Sequence, residues 1–220
     1  VSRDWSAKNL NFQQLNHQHQ VLISEMERRE VQFHSIIEKG ENYIRQKHPA
    51  SECIESFISL MQHHWSWLTQ LANVFDVHLK NATEYNEFFE EVTEAEHWMS
   101  KVENSLKTSY SKQNFSIEEG EKLLREMQQH KEDISNYFSV INKIISKSSS
   151  VVPLKQRKSA LPSPIQAQSA CMIKQKTATV VKDEVVTLYD NSRKSKWHVR
   201  TSSGVDVYAP GVAFIIPSPD

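Results

Sequence analysis

Cysteine is scarce in this chain of 220 residues: there are two, Cys53 and Cys171, far apart and in no Cys-x-x-Cys pair. That excludes a disulfide framework or a cysteine-built zinc site and fits a reducing cytosol. Glycine is scarcer than in most chains, with four residues, and none falls in Gly-x-Gly-x-x-Gly, Gly-Lys-[Ser/Thr] or Gly-x-Ser-x-Gly. Phosphate-cradling loops and the serine-nucleophile turn are thereby absent. No apolar run approaches the roughly 18 residues that a membrane span requires, and Val1 opens no signal peptide. Proline is nearly missing from the first 150 residues, where Pro49 stands alone, whereas six prolines follow.

What is present divides at the same point. Residues 1–150 carry 16 Lys/Arg against 22 Asp/Glu, a net charge of −6, and residues 151–220 carry 10 against 5, a net of +5. Before residue 150 apolar residues recur every three or four positions; after it, short valine-rich runs alternate in period two. Long helices therefore hand over to a small all-β module.

Three helices are expected, over about 12–47, 52–108 and 116–147. In the first, Leu15, His19, Leu22, Met26, Arg29, Phe33, Ile36, Gly40 and Tyr43 form a four-three ladder, and His48-Pro49 ends it. Ser51 stands where it can cap the second helix. Ile54, Ile58, Met61, Trp65, Leu68, Ala72, Phe75 and Leu79 form a cleaner seam there, and Phe88, Val92, Ala95, Met99, Val102 and Leu106 continue it in another register. Residues 80–87 between them hold neither Gly nor Pro, so one unbroken helix with a slipped stripe is predicted. Ser116-x-x-Glu119 is a capping-box signature opening the third helix, whose ladder is Leu123, Met127, His130, Ile134, Tyr137, Ile141 and Ile144. A helix that passes through a bundle junction resembles spectrin repeats. The resemblance implies repeat-core tryptophans at Trp65 and Trp98, a partial repeat over 1–80 (AB loop and helices B and C) and another over 81–150 (helices A and B).

Strand-like runs occupy 178–181, 185–189, 197–200, 205–208 and 214–216, separated by turn residues such as Asp190-Asn191-Ser192 and Ser203-Gly204. Five short strands in so few residues suggest a small barrel, placed at 167–220 after a linker at 151–166. The marks are similar to a Src-homology-3 domain: Lys182-Asp183-Glu184 in the acidic turn, Trp197 opening the third strand, and Ala209-Pro210 before the last. Val152-Pro-Leu-Lys-Gln-Arg157, Ser195-Lys-Trp197, Pro210-Gly-Val-Ala-Phe-Ile-Ile-Pro217, His48-Pro49 before Trp65-Ser-Trp67, and Asp4-Trp-Ser-x-x-Asn-Leu10 together resemble the central domain of plakins, in which such a barrel is inserted in a spectrin repeat. The resemblance places the second repeat's C helix beyond Asp220. The expected fold is thus a multidomain α plus β chain, a spectrin-repeat three-helix-bundle rod followed by a five-stranded SH3-like barrel.

The groove departs from the peptide-binding pattern. An Ala-Leu-Tyr-Asp-Tyr run is replaced by Ser169-Ala170-Cys171-Met172-Ile173, and Pro-x-Asn-Tyr by Pro210-Gly211-Val212-Ala213. The loop that usually presents acids reads Lys174-Gln175-Lys176. Proline-helix ligands need aromatic walls and their basic anchor needs a carboxylate. The apolar set Met172, Ile173, Trp197, Pro210, Val212 and Ala213 instead suits burial against the preceding repeat.

Ten histidines, among them His17-x-His19 and His63-His64, show no metal-binding spacing. Glutamate pairs such as Glu90-Glu91 read as solvated helix faces, and no catalytic, cofactor-binding or metal residues are expected. The basic stretches Lys155-Gln-Arg-Lys158 and Arg193-Lys-Ser-Lys196 read as solubilising charge or as contacts with acidic helices rather than a nucleic-acid site. The resemblance implies a non-enzymatic scaffold, cytoplasmic and associated with cytoskeleton and cell junctions. Its partners would be junctional plaque or membrane-associated proteins, with filaments bound through other regions and neither nucleic acid, membrane insertion nor small molecules involved. Two alternatives stay open: an adaptor recruiting proline-rich partners, and a regulatory barrel released by tension.

Overall fold

The computed structural model describes residues 11–111, 114–157, 159–175, 178–193 and 195–218. The Asp4–Leu10 stretch, Lys158 and Lys176 lie outside them. Among the described residues, three helices, α1 (Phe12–Arg45), α2 (Ser51–Ser109) and α3 (Ile117–Ser148), precede seven strands. The chain forms two compact units, one of residues 1–83 with 154–217 and one of residues 84–153 with 218–220.

In the first unit α1 and the first part of α2 run antiparallel. Gly40 brings α1 close to α2, since a methyl group there would lie 2.7 Å from Ile58 Cδ1. Phe33 stacks on Trp65 with ring centroids 4.9 Å apart, and His19 meets Phe75 at 5.2 Å. The buried seam of α1 is Leu15, His19, Met26 and Ile37. The expected ladder holds at its start but not throughout: Leu22, Ile36 and Tyr43 point to solvent. A straight helix drifts about 20° per heptad against a strict seven-residue repeat, so the covered stripe passes from Ile36 to Ile37.

The turn between α1 and α2 is built on a left-handed residue, Lys47 (φ 56°). His48 N–H donates to the Tyr43 carbonyl and Lys47 N–H to the Ile44 carbonyl, the pair of bonds that closes a Schellman end. Ser51 does not cap α2 as expected. Its hydroxyl donates backwards to the His48 carbonyl (2.6 Å), because the chain is already helical at Ser51.

The β module contains five strands in one antiparallel sheet and two in a hairpin. With β1 (Ile165–Ser169), β4 (Val185–Asp190), β5 (Trp197–Arg200), β6 (Asp206–Ala209) and β7 (Phe214–Ile215), the order is β6-β5-β4-β1-β7; β2 (Ile173–Lys174) pairs with β3 (Thr179–Val180). Strand β1 begins inside the stretch expected as a linker and occupies the sheet interior. It escaped notice because its inward positions are small: Ala167 and Ser169 are fully buried, while glutamines fill the alternate sites. The same stretch holds a 3-10 turn, Leu154–Arg157, with Leu154 buried. The core comprises Val186, Leu188, Trp197, Val199, Val207, Phe214 and their neighbours, and it includes Val74 of α2.

In the second unit the later part of α2 lies antiparallel to α3. Trp98 stacks on Tyr137 (3.8 Å between centroids) and Lys147 pairs with Glu91 at 2.8 Å. Ser116 and Glu119 form the expected reciprocal capping box. None of the described residues of α3 is fully buried; Met127 and Ile134 of its ladder are exposed, because one neighbouring helix covers only part of an apolar stripe.

Candidate functional site

The residual groove is best built up from Trp197. Its ring lies within the core, 3% exposed, parallel to Phe214 at 6.2 Å. On it rests the Arg157 guanidinium, 4.8 Å from the ring centroid. Arg157 donates to the carbonyls of Phe214 (2.6 Å) and Gly211 (2.7 Å), so the cation is held by two oxygens and a π face. Burial pushes its pKa down to about 10, leaving it charged at neutral pH. The turn that carries it is stapled by Asn191, whose amide donates to the carbonyls of Gln156, Arg157 and Ser159 at 3.1–3.3 Å. Gly211 fits against the same indole: an added Cβ would lie 2.5 Å from Trp197 Nε1 and 2.6 Å from Cε2.

Helix α2 closes the other side. His78, 1% exposed, donates from Nε2 to the Val212 carbonyl at 2.7 Å. Burial, assisted by the Arg157 charge and opposed by the bond to Val212, lowers its pKa from 6.5 to about 4, so it is neutral at pH 7. Val74, one turn earlier, belongs to the barrel core, and Trp67 packs against that core. Thus α2 has two apolar stripes here, one with Trp65, Ala72, Phe75 and Leu79 and one with Trp67, Val74 and His78.

The six expected groove residues are not equivalent. Ile173, Trp197 and Ala213 are buried, Pro210 and Val212 half-buried, and Met172 exposed at 42%. Met172, Ile173 and Pro210, with His63, Ser66, Trp67 and Gln70 of α2, line a cleft of about 390 Å³. In place of a ligand-binding acid, Gln175 donates to the Tyr208 carbonyl (2.7 Å). The two expected repeat tryptophans are each half-buried and stacked, Trp65 on Phe33 and Trp98 on Tyr137.

Sequence reasoning missed Arg157, His78 and Asn191. In the sequence Arg157 belongs to a solubilising patch; the turn Leu154–Arg157 directs it inward, whereas Lys155 is exposed. The second stripe on α2 was the available signal for His78, since Trp67, Val74 and His78 share one face at helical spacing. Among the described residues, no group of three or more His, Cys, Asp or Glu is placed to hold a metal ion. Nor, among them, is any helix long and apolar enough to cross a membrane.

Comparison with known families matches residues 2–80 to the spectrin repeat, 86–152 to a spectrin-like repeat and 153–217 to an SH3 domain. The chain is 30% identical to zebrafish (Danio rerio) desmoplakin-A over 99% of its own length and 11% of that protein. It is 29% identical to human microtubule-actin cross-linking factor 1 over all of its length and 3% of that protein. A crystal structure of a rigid four spectrin repeat fragment of the human desmoplakin plakin domain superposes with a TM-score of 0.86 at 31% identity, over 100% of this chain and 50% of that one. The chain belongs to the plakin family. This plakin segment combines spectrin repeats with an SH3 domain, and it spans about a tenth or less of its curated relatives. The plakin reading gives the Arg157–Trp197–His78 arrangement its setting: it lies where the SH3 barrel meets a spectrin-repeat helix.

Proposed function

We propose that this segment serves a cytoskeletal linker as a semi-rigid spacer and protein-docking piece, in which the SH3 barrel braces helix α2 instead of recruiting proline-rich ligands. The observation that carries this reading is Trp197. In a peptide-binding groove this side chain must offer a free face; here it is 3% exposed, beneath Arg157 and against Gly211. Support comes from the His78–Val212 bond and from Val74, which make the helix a wall of the barrel core. Unbroken helix from Ser51 to Ser109 supports the spacer role, since no Gly or Pro interrupts it. The proposed domain division is partial repeats over 1–80 and 81–150, then a barrel whose first strand begins within the 151–166 stretch. The work is mechanical rather than catalytic, with partners among cytoskeletal and junction-associated proteins, inside the cell.

The test is titration of the whole chain with a proline-rich peptide library, read by the Trp197 indole resonance. Bracing predicts no shift of that resonance with any peptide. Saturable shifts of that resonance would establish the adaptor reading instead.

A further inference from the structure

The outer face of the β module carries a cluster that the groove does not use. Tyr189 on β4, His198 on β5 and Tyr208 on β6 form a cross-strand row, with ring centroids 5.4 Å and 4.6 Å apart and interplanar angles of 29° and 12°. Cations flank the row: the Arg200 guanidinium lies 5.1 Å from the Tyr189 centroid and the Lys196 ammonium 5.2 Å from that of Tyr208. Both tyrosines remain substantially exposed, at 39% and 48%.

Two carboxylates adjoin the cluster, and both are engaged; Asp190, the cross-strand partner of His198, accepts from the Ser192 N–H at 2.8 Å. Asp206 accepts from Arg200 through both oxygens (2.9 and 3.1 Å) and lies 3.1 Å from His198 Nε2. The pairings fix the side chains of β5 and β6; Lys196, Arg200 and Arg193, the last acting on Asp190, outnumber Asp190 and Asp206 here. Residues 151–220 as a whole carry a net +5.

The chemistry of this face is specific. The rings spend their faces on one another and on the two cations, so what they present outward is edge, the positive part of the aromatic quadrupole. An outward surface of ring edges, phenol groups and flanking cations suits carboxylates. Nucleobases are less well served, because stacking on an incoming base requires a free ring face and a track of unpaired cations for phosphates. Arg200 is already bound to Asp206, so it does not serve such a track. Tyrosine and arginine are also the residues that concentrate binding energy at protein interfaces.

The geometry points to the outer face of β4, β5 and β6 as a docking surface for an acidic, extended protein segment. This face is separate from the Trp197 groove, and the inference does not rest on the bracing role.

The test uses the full chain and a fluorescein-labelled peptide of alternating Glu and Tyr. A Lys-for-Glu counterpart and labelled oligo-dT of similar length serve as competitors, with anisotropy as the readout at low and high salt. The acidic peptide should bind, its affinity should fall with salt, and neither competitor should displace it at equal concentration. Lys196→Glu should weaken binding, and its combination with Tyr208→Ala should weaken it by at least about tenfold. Lys196 is exposed, so the single variant should keep the parent near-UV circular dichroism and separates a binding loss from a folding loss. Failure of the acidic peptide to bind would overturn the proposal, as would unchanged binding by both variants. Tighter binding of oligo-dT through the same residues would replace it with a nucleic-acid surface.

Discussion

Acidification should loosen the barrel from α2 through one residue, His78. Folding lowers its pKa from 6.5 to about 4, chiefly by burial. The unfolded chain therefore takes up the proton first as pH falls. The associated stability is fully present above pH 6.5, declines as pH drops below it, and is lost by about pH 4. Between pH 7.5 and pH 5.0 these two pKa values translate into about 2 kcal/mol, or roughly a thirtyfold change in the folding equilibrium. His78→Gln keeps an amide donor within reach of the Val212 carbonyl but has nothing to titrate. The assay is urea unfolding of parent and variant at both pH values, followed by the Trp197 indole N–H resonance. The parent should lose about 2 kcal/mol more than the variant on going to pH 5.0. Effects common to other titrating groups cancel in that difference. Equal losses in the two proteins would refute the burial of His78 beneath Val212.

Two further substitutions probe the geometry. Gly211→Ala drives a methyl into the enclosed Trp197 indole; overpacking of about 1–3 kcal/mol, offset by an entropic gain of about 0.4–1, should leave a net loss of about 1–2 kcal/mol in barrel stability. Thermal unfolding measures it, and a variant as stable as the parent contradicts the packing. Lys47→Gly, at the left-handed end of α1, should stabilise the α1–α2 pair by about 1 kcal/mol, seen as a higher urea midpoint.

The helices were legible in the sequence because their periodicity is long and redundant: α1, α2 and α3 begin and end within a few residues of their expected limits. The capping box at Ser116 and the unbroken passage through 80–87 were equally clear, for each rests on local chemistry. Strand β1 was not, since alternation between glutamine and small Ala167 or Ser169 carries little hydrophobic contrast. The site was legible in what it had lost, the aromatics and acids of a ligand groove. What replaced them was hidden, because the contacts join distant stretches. Arg157 meets Phe214, and His78 meets Val212. A half-buried arginine held by carbonyls has the same sequence signature as a surface one. The stripe at Trp67, Val74 and His78 shows that a helix with two packed faces can announce its second partner, once the first seam has been assigned.

Hydrogen exchange of the β5 and β6 amides in the whole chain, compared with Val74→Asp, tests most directly whether α2 and the barrel share one core. Val74 is 1% exposed within that core, while Ala72 and Leu79 keep the other stripe of α2. The account predicts that a carboxylate placed there lowers barrel protection by at least about tenfold, with α1 protection changed far less. Unchanged protection of β5 and β6 would mean that the barrel stands without the helix, and bracing would have to be abandoned.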